Sequence, residues 1–356
     1  MARTTTYNRM ARGELASTFV FALVLSSSVL LFERVFRIMK ASQGAPASDV
    51  LKLILYIQPS LLLLGIPMSL LVAVLVVYGR MTMDHEITIL SASGASHGLI
   101  IGPAMRFAAV CAAAALAVSL YFFPLSNRLF RETLYNSLAT TVNIDEGIFH
   151  DGFPGLMIYV KNKPADSNYR DVFIYNAKAA DEPVIVTADS GKLFSFPDKG
   201  VFRFMLENGE IHLAGTGAGY TLIKFGRYNM EFDMSGSDYR PGGNEMFPCE
   251  LWSEASGGPP ENRTSRMVEL HKRFALPAAC LILGFLGVPL ATLVGRSGRL
   301  GGFGIALAVV AGYYILLVTG ESMAQAGRLP PAAAIWGADG ALAALAASAY
   351  YRWKRL

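Results

Sequence analysis

Five residues carry charge where a largely apolar chain has little of it, and their spacing indicates what each set can do. Arg34, Arg37 and Lys40 recur at helical spacing at the end of the first apolar stretch. Three cations along one helical face suit phosphate: they would hold an anionic head group at a membrane surface while its acyl chains lie between helices. The plainer reading is that the same side chains snorkel to lipid head groups. Asp84 and Glu86 lie in Arg80-Met81-Thr82-Met83-Asp84-His85-Glu86-Ile87-Thr88-Ile89-Leu90, where Met83, Ile87 and Leu90 fall on one side of a short amphipathic helix. An anionic leaflet repels its two acids, which suit a basic protein partner instead.

Three further motifs promise chemistry and fail on context. Gly94-Ala95-Ser96-His97-Gly98 has the letters of a serine hydrolase elbow, but an elbow needs a buried strand before the serine. Here Met83, Ile87 and Leu90 recur at helical spacing, so the glycines mark a small-residue helix end. His85-Glu86 begins a zinc motif whose fifth position is Ile89, which cannot ligate metal. No P-loop occurs, and the glycines of residues 298–304 lack the lysine that would reach a phosphate. Gly304, Ala308 and Gly312, four apart, read instead as a face for close helix packing.

The elements that must position these residues follow from composition. Charged residues are 16% of the 356 and apolar types 53%, too greasy for an ordinary soluble domain. Six stretches are long and apolar enough to cross a bilayer: residues 15–32, 53–78, 99–123, 274–294, 301–320 and 332–351. The first is a retained helix, because Phe32-Glu33-Arg34-Val35-Phe36-Arg37 at its far end offers no cleavage site. Six spans put both termini on one side. Arg3, Arg9, Arg12, Arg80, Arg296, Arg299, Arg352, Lys354 and Arg355 mark that side as cytoplasmic. Of three cysteines only Cys249 falls outside the spans, so the outer domain must be held by its own core.

Between the third and fourth spans the pattern changes to short strand-like runs at residues 156–160, 172–175, 184–187, 201–206, 220–225 and 230–232. Period-2 runs at this spacing predict an antiparallel sandwich or jelly roll with inward positions such as Phe173 and Phe204. Asn208-Gly209 is the sharpest hairpin signal. Open sheet edges there can accept a strand from another protein. The fold is thus a polytopic α-helical membrane protein, six transmembrane helices, with an inserted all-β periplasmic jelly-roll domain between helices 3 and 4. Its divisions are helices 1–3 within residues 1–135 with a coupling helix at about 80–97, the β-domain at 136–240, a Gly/Pro/Ser-rich return linker at 241–266, and helices 4–6 within 267–356. Trp252 in the linker reads as a head-group anchor.

These features together resemble the LptF/LptG family, the permease subunits of the bacterial lipopolysaccharide exporter, over essentially the whole chain. Carrying the resemblance are Glu33-Arg34-Val35-Phe36-Arg37, Asp84-His85-Glu86-Ile87-Thr88 running to Ala92-Ser93-Gly94-Ala95-Ser96, and Val288-Pro289-Leu290 followed by Gly295-Arg296-Ser297-Gly298-Arg299. Asp233 onward and Glu250-Leu251-Trp252 lean to its LptF side. Gly13-Glu14 departs from the family's more basic Arg-Glu start. The resemblance implies a non-catalytic inner-membrane subunit with no cofactor of its own, paired with the paralogous permease LptG. It further implies an LptB ATPase dimer that uses the ATP, and LptC leading through a β-slide to LptA. It places Arg34, Arg37 and Lys40 on the lipid A phosphates, and Glu86, with Asp84 beside it, at the LptB contact. On this reading the helices enclose an apolar cavity and ATP-driven closure lifts the lipid into the jelly roll. The contrasting reading is a membrane-anchored scaffold or sensor whose outer sandwich binds a protein ligand; it predicts no ATPase partner and no lipid in the domain.

Overall fold

The computed structural model describes residues 2–41, 46–140, 146–153, 156–165, 168–176, 184–196, 201–214, 220–233, 241–294 and 298–355. Long runs of Leu, Val, Ile and Ala satisfy their backbone within the segment, which is what a bilayer demands of them. They form α1 (Ala2–Ala41), α2 (Ala47–Met83), the short α3 (Glu86–Ala92), and α4 (His97–Ala117), which runs through one π turn into α5 (Phe123–Thr140). The strands β1 (Phe149–Phe153), β2 (Leu156–Ala165), β3 (Asn168–Asn176), β4 (Val184–Phe196), β5 (Val201–Ala214) and β6 (Tyr220–Asp233) follow. The chain closes with α6 (Pro248–Gly257), α7 (Pro260–Val294), α8 (Gly298–Gln325) and α9 (Pro331–Lys354). Six of these helical runs are long and apolar enough to cross a membrane. The π turn at Val118–Phe122 precedes Pro124, near the start of α5.

The structure divides into two units, one built from Met1–Arg34, Tyr56–Arg128 and Pro241–Leu356, the other from Val35–Leu55 and Leu129–Arg240. Within the helical unit α2 and α7 are central: 72% and 67% of their apolar windows are buried, against 11% for α1. Close approach is made by glycine. A Cβ on Gly284 would sit 2.3 Å from the Ala108 Cβ of α4, and one on Gly320 would sit 2.2 Å from the Ala334 carbonyl oxygen of α9. The stripe expected to pack, Gly304, Ala308 and Gly312, does not do so within this chain: Ala308 is exposed and both glycines face open space. Spacing alone identifies a face that allows close packing, not whether a helix occupies it.

In the other unit the six strands pair antiparallel in sequential order from β1 to β6. The inserted β-domain is therefore present; its described strands connect as a meander, and the crossover connections of a strict jelly roll do not occur among them. Pairing lapses along one row through the sheet. Lys161, Asp171, Asp189, Asn208 and Gly226 lie opposite one another unpaired, and the ladders resume beyond in the same register. Asp171 and Asn208 take φ of 53° and 51° in this row. Each strand skips one pairing there with no change of register, and its in-out alternation switches phase across the row. Val186 and Ala188 face the core on one side of the row, Leu193 on the other; Ile174 and Val172 match Tyr169 in the same way.

That row corrects two expectations. Asn208-Gly209 does not reverse the chain: it lies inside β5, paired to β4 and β6 on both sides, and the positive φ of Asn208 falls at the interrupted row. The runs at 220–225 and 230–232 are one strand for the same reason. Phe173 and Phe204 face opposite ways. Phe204 is fully buried with Leu206, Ile158 and Ile174, whereas Phe173 pairs across Tyr159 and Thr187 on the other face. The apolar interior is filled by its own side chains, Phe204 packing where a Cβ on Gly191 would meet its ring at 2.7 Å. Each fully buried large side chain contributes about 1.5–3 kcal/mol.

The return segment 241–266, expected as a flexible linker, is ordered. A turn at Gly243–Glu245, α6 and the start of α7 occupy it. Pro248 opens α6 at a position where no N–H is needed, and Glu250 accepts the Phe247 N–H at 2.7 Å.

Candidate functional site

A cluster of charge forms where α2 gives way to α3. His85 adopts φ 59° between the two helices, a conformation histidine tolerates better than most residues, and the turn swings Glu86 back beneath Arg80. Arg80 Nη1 donates to Asp84 Oδ2 at 3.1 Å and to Glu86 Oε1 at 3.2 Å, while its Nη2 donates to Glu14 Oε2 of α1 at 2.6 Å. One guanidinium thus serves three carboxylates, and all four side chains keep contact with solvent. Ile87 anchors α3 in the helical core, leaving Met83 and Ile89 exposed beside the acids. Tyr78 donates to the Ile100 carbonyl at 2.8 Å, tying the end of α2 to α4. An acidic, partly apolar projection of this kind is chemically suited to a protein carrying a cation.

The serine of the hydrolase-like motif sits at the start of α4, after Gly94 at φ 82°, and the element before it is helical. No strand delivers it.

Arg34 and Arg37 are exposed near the far end of α1. Lys40 belongs to the same helix, and its side chain lies outside the described residues. Asp84 and Glu86 are brought together by Arg80; Arg34 and Arg37 lie one turn apart on α1.

A second charge network encloses α6. Arg128 of α5 donates to the Glu245 carbonyl at 2.6 Å, pairs with Glu250 and stacks over the Phe247 ring. Arg266 donates to Glu254 at 2.9 Å and to the Pro241 carbonyl at 2.8 Å. Arg273, only 2% exposed, donates to the Gly243 carbonyl at 2.9 Å beside Glu269. Burial pushes the Glu250 carboxyl up, but Arg128 and the Phe247 N–H outweigh it, and the group ends below its ordinary value. Trp252 of α6 has 60% of its surface exposed.

In the β unit a cavity of about 730 Å³ lies along the interrupted row, lined by Phe149, Tyr159, Asp171, Phe173, Asp189 and Glu210 among others. Lys224, 2.9 Å from Glu210, holds that carboxyl below its usual range.

Sequence reasoning missed Glu14, Arg128, Arg266 and Arg273. The i to i+4 spacing of Arg80 and Asp84 was a usable local signal. Nothing local ties Arg80 to Glu14, 66 residues away, or Arg128 to Glu245, 117 away.

Comparison with known proteins gives a consistent set of matches. A family model described as lipopolysaccharide export system permease LptF/LptG matches residues 9–352. The chain is similar to the lipopolysaccharide export system permease protein LptF of Escherichia coli strain K12, 23% identical over 334 residues, which is 91% of this chain and 87% of that protein. The protein of the same name from Shigella flexneri matches with the same figures. An uncharacterized protein of Rickettsia prowazekii is 24% identical over 164 residues, 45% of each chain.

Proposed function

Since this chain belongs to the LptF/LptG family of lipopolysaccharide export system permeases, we propose that it is the LptF-type half of a permease pair working with an LptG-type subunit. It is a multi-pass, non-catalytic lipopolysaccharide export permease subunit of the bacterial inner membrane. Both termini face the cytoplasm on this reading, and the β unit, inserted after the third span, faces the periplasm. Burial of acyl chains yields about 0.8 kcal/mol per CH₂, so lifting several chains out of a leaflet costs on the order of tens of kcal/mol. That demand calls for ATP, supplied by a cytoplasmic LptB dimer, the permease itself needing no cofactor. LptC and LptA would continue the route by strand addition at β1 or β6, the two edges of the described sheet.

In this scheme Arg34, Arg37 and Lys40 hold the lipid A phosphates at the outer rim. Glu86, with Asp84 beside it, offers its carboxylate to a cation of LptB. The acyl chains take the open face of the sheet, the side of Phe149, Tyr159 and Phe173, where the cavity of about 730 Å³ lies. The observation that carries the proposal is a six-span chain bearing an acidic, solvent-accessible turn at Asp84 and Glu86 together with an exposed cationic helix end at Arg34 and Arg37.

The test is co-purification of the assembled exporter in mild detergent. Glu86→Lys should release LptB or abolish lipid-stimulated ATP hydrolysis, and Arg34→Glu with Arg37→Glu should weaken lipopolysaccharide crosslinking to this subunit. A Glu86→Lys exporter that keeps both its ATPase and its stimulation removes the docking role. A photocrosslinker at Phe173 should capture lipid and one at Phe204 should not; the opposite pattern moves the acyl route to the other face.

A further inference from the structure

We propose that the Arg80–Glu14 ion pair is the link by which engagement of the coupling turn reaches α1, and through α1 the cationic rim. This rests on the reading of Glu86 as the ATPase contact. The two Nη atoms of one rigid guanidinium divide their work: Nη1 faces the coupling turn through Asp84 and Glu86, and Nη2 faces α1 through Glu14. A planar fork cannot move one arm and leave the other in place. Three carboxylates compete for a single cation, so a basic partner that draws Glu86 and Asp84 away leaves the guanidinium charge to Glu14. Docking therefore tightens the hold on α1. The side chains are 27% to 53% exposed, in the regime where ion pairs exchange readily instead of locking.

The geometry of α1 suits it to carry the signal. It is one helix from Ala2 to Ala41 with no proline inside it. Glu14 and Arg34 are separated by 20 residues of that helix, about 30 Å along its axis. Its own chain holds it along one face, through Leu15, Ala22 and the Phe19–Phe107 ring contact, while Val20, Phe21, Val24 and Val29 are each more than half exposed; its described ties to α2 include one Ser26–Ser69 hydrogen bond of 3.2 Å and the approach of Leu23 to Gly65. A continuous helix without an internal proline, held along one face, shifts as a rod. Arg34 shifts with it.

Glu14 and Arg80 are positioning residues in this proposal, and the test reads coupling, not folding. In the assembled exporter, ATP hydrolysis is measured with and without lipopolysaccharide for Glu14→Gln, Glu14→Asp, Arg80→Gln and the Glu14→Gln/Arg80→Gln double variant. Glu14→Gln should retain the ATPase on purification and its unstimulated rate, while lipid stimulation falls about fivefold or more. Glu14→Asp should recover part of the loss, and the double variant should be no worse than the poorer single one. Full stimulation in Glu14→Gln, or losses that multiply in the double variant, overturns the link. Glu86→Lys in the same assay separates the two levels. If it releases the ATPase while Glu14→Gln stays fully stimulated, only the link fails; if it keeps the ATPase, the docking reading fails beneath it.

Discussion

The two charge networks of the helical unit are built on opposite terms. Around α6, three guanidiniums meet carboxylates and backbone carbonyls, and Arg266 and Arg273 are almost wholly buried. At the turn after α2, one half-exposed guanidinium is shared among three acids. Buried charges left without partners cost several kcal/mol, so the first network persists once formed. Exposed pairs contribute about 0–1 kcal/mol and trade partners freely, so the second can give way to an incoming cation. The difference teaches that charge in this molecule serves two ends: around α6 it holds a Gly- and Pro-rich segment in one place, and beside α3 it keeps an acidic surface ready for exchange.

Substitutions can break this contrast in order of expected effect. Arg273→Ala should be the most damaging, lowering stability by about 3–5 kcal/mol because Glu269 and the Gly243 carbonyl lose a buried cation; thermal unfolding in detergent measures it. Glu254→Ala should cost about 1–3 kcal/mol by leaving the buried Arg266 with a carbonyl partner and no carboxylate. Limited proteolysis around 241–258 reads that loss directly. Arg80→Ala should cost under about 1 kcal/mol while still lowering lipid-stimulated hydrolysis, and a loss of stability as large as that of Arg273→Ala would erase the contrast.

The smallest effect is a matter of pH. Glu250 has a depressed pKa in the folded chain, so its contribution is present above the ordinary carboxylate value of 4.5 and is lost as pH falls through the lower folded value. Trp252 fluorescence should therefore report loosening of α6 below that range, and Glu250→Gln should be loosened already at neutral pH. An acid transition unchanged in Glu250→Gln would assign it to another group.

Much of the architecture was legible before any fold was seen. The six spans, the inserted strands and the helical character of the segment after Arg80 all follow from local hydropathy and period, which the surrounding solvent imposes on each stretch independently. Legibility failed where the same letters serve two geometries. Asn208-Gly209 suits a hairpin and a break within a strand equally, and only pairing on both sides of β5 selects the second. Gly242, Gly257 and Gly258 suggest slack, yet Arg128, Arg266 and Arg273 reach in from other helices to fix the segment. The candidate site divided likewise: Glu86 and Asp84 stood out in the sequence, and Glu14 did not.

What the sequence determined by itself was the solvent of each segment: which stretches lie in lipid, which alternate as strands, and which short turn carries surplus acid. Side-chain transfer energies and backbone periodicity act over a few residues, so those properties are written locally. The tertiary structure alone decided which charges meet, which face of the sheet closes on Phe204, and whether a glycine stripe finds a neighbour. Those outcomes depend on elements far apart in the chain arriving within about 3 Å of one another, the range over which a hydrogen-bonded ion pair forms.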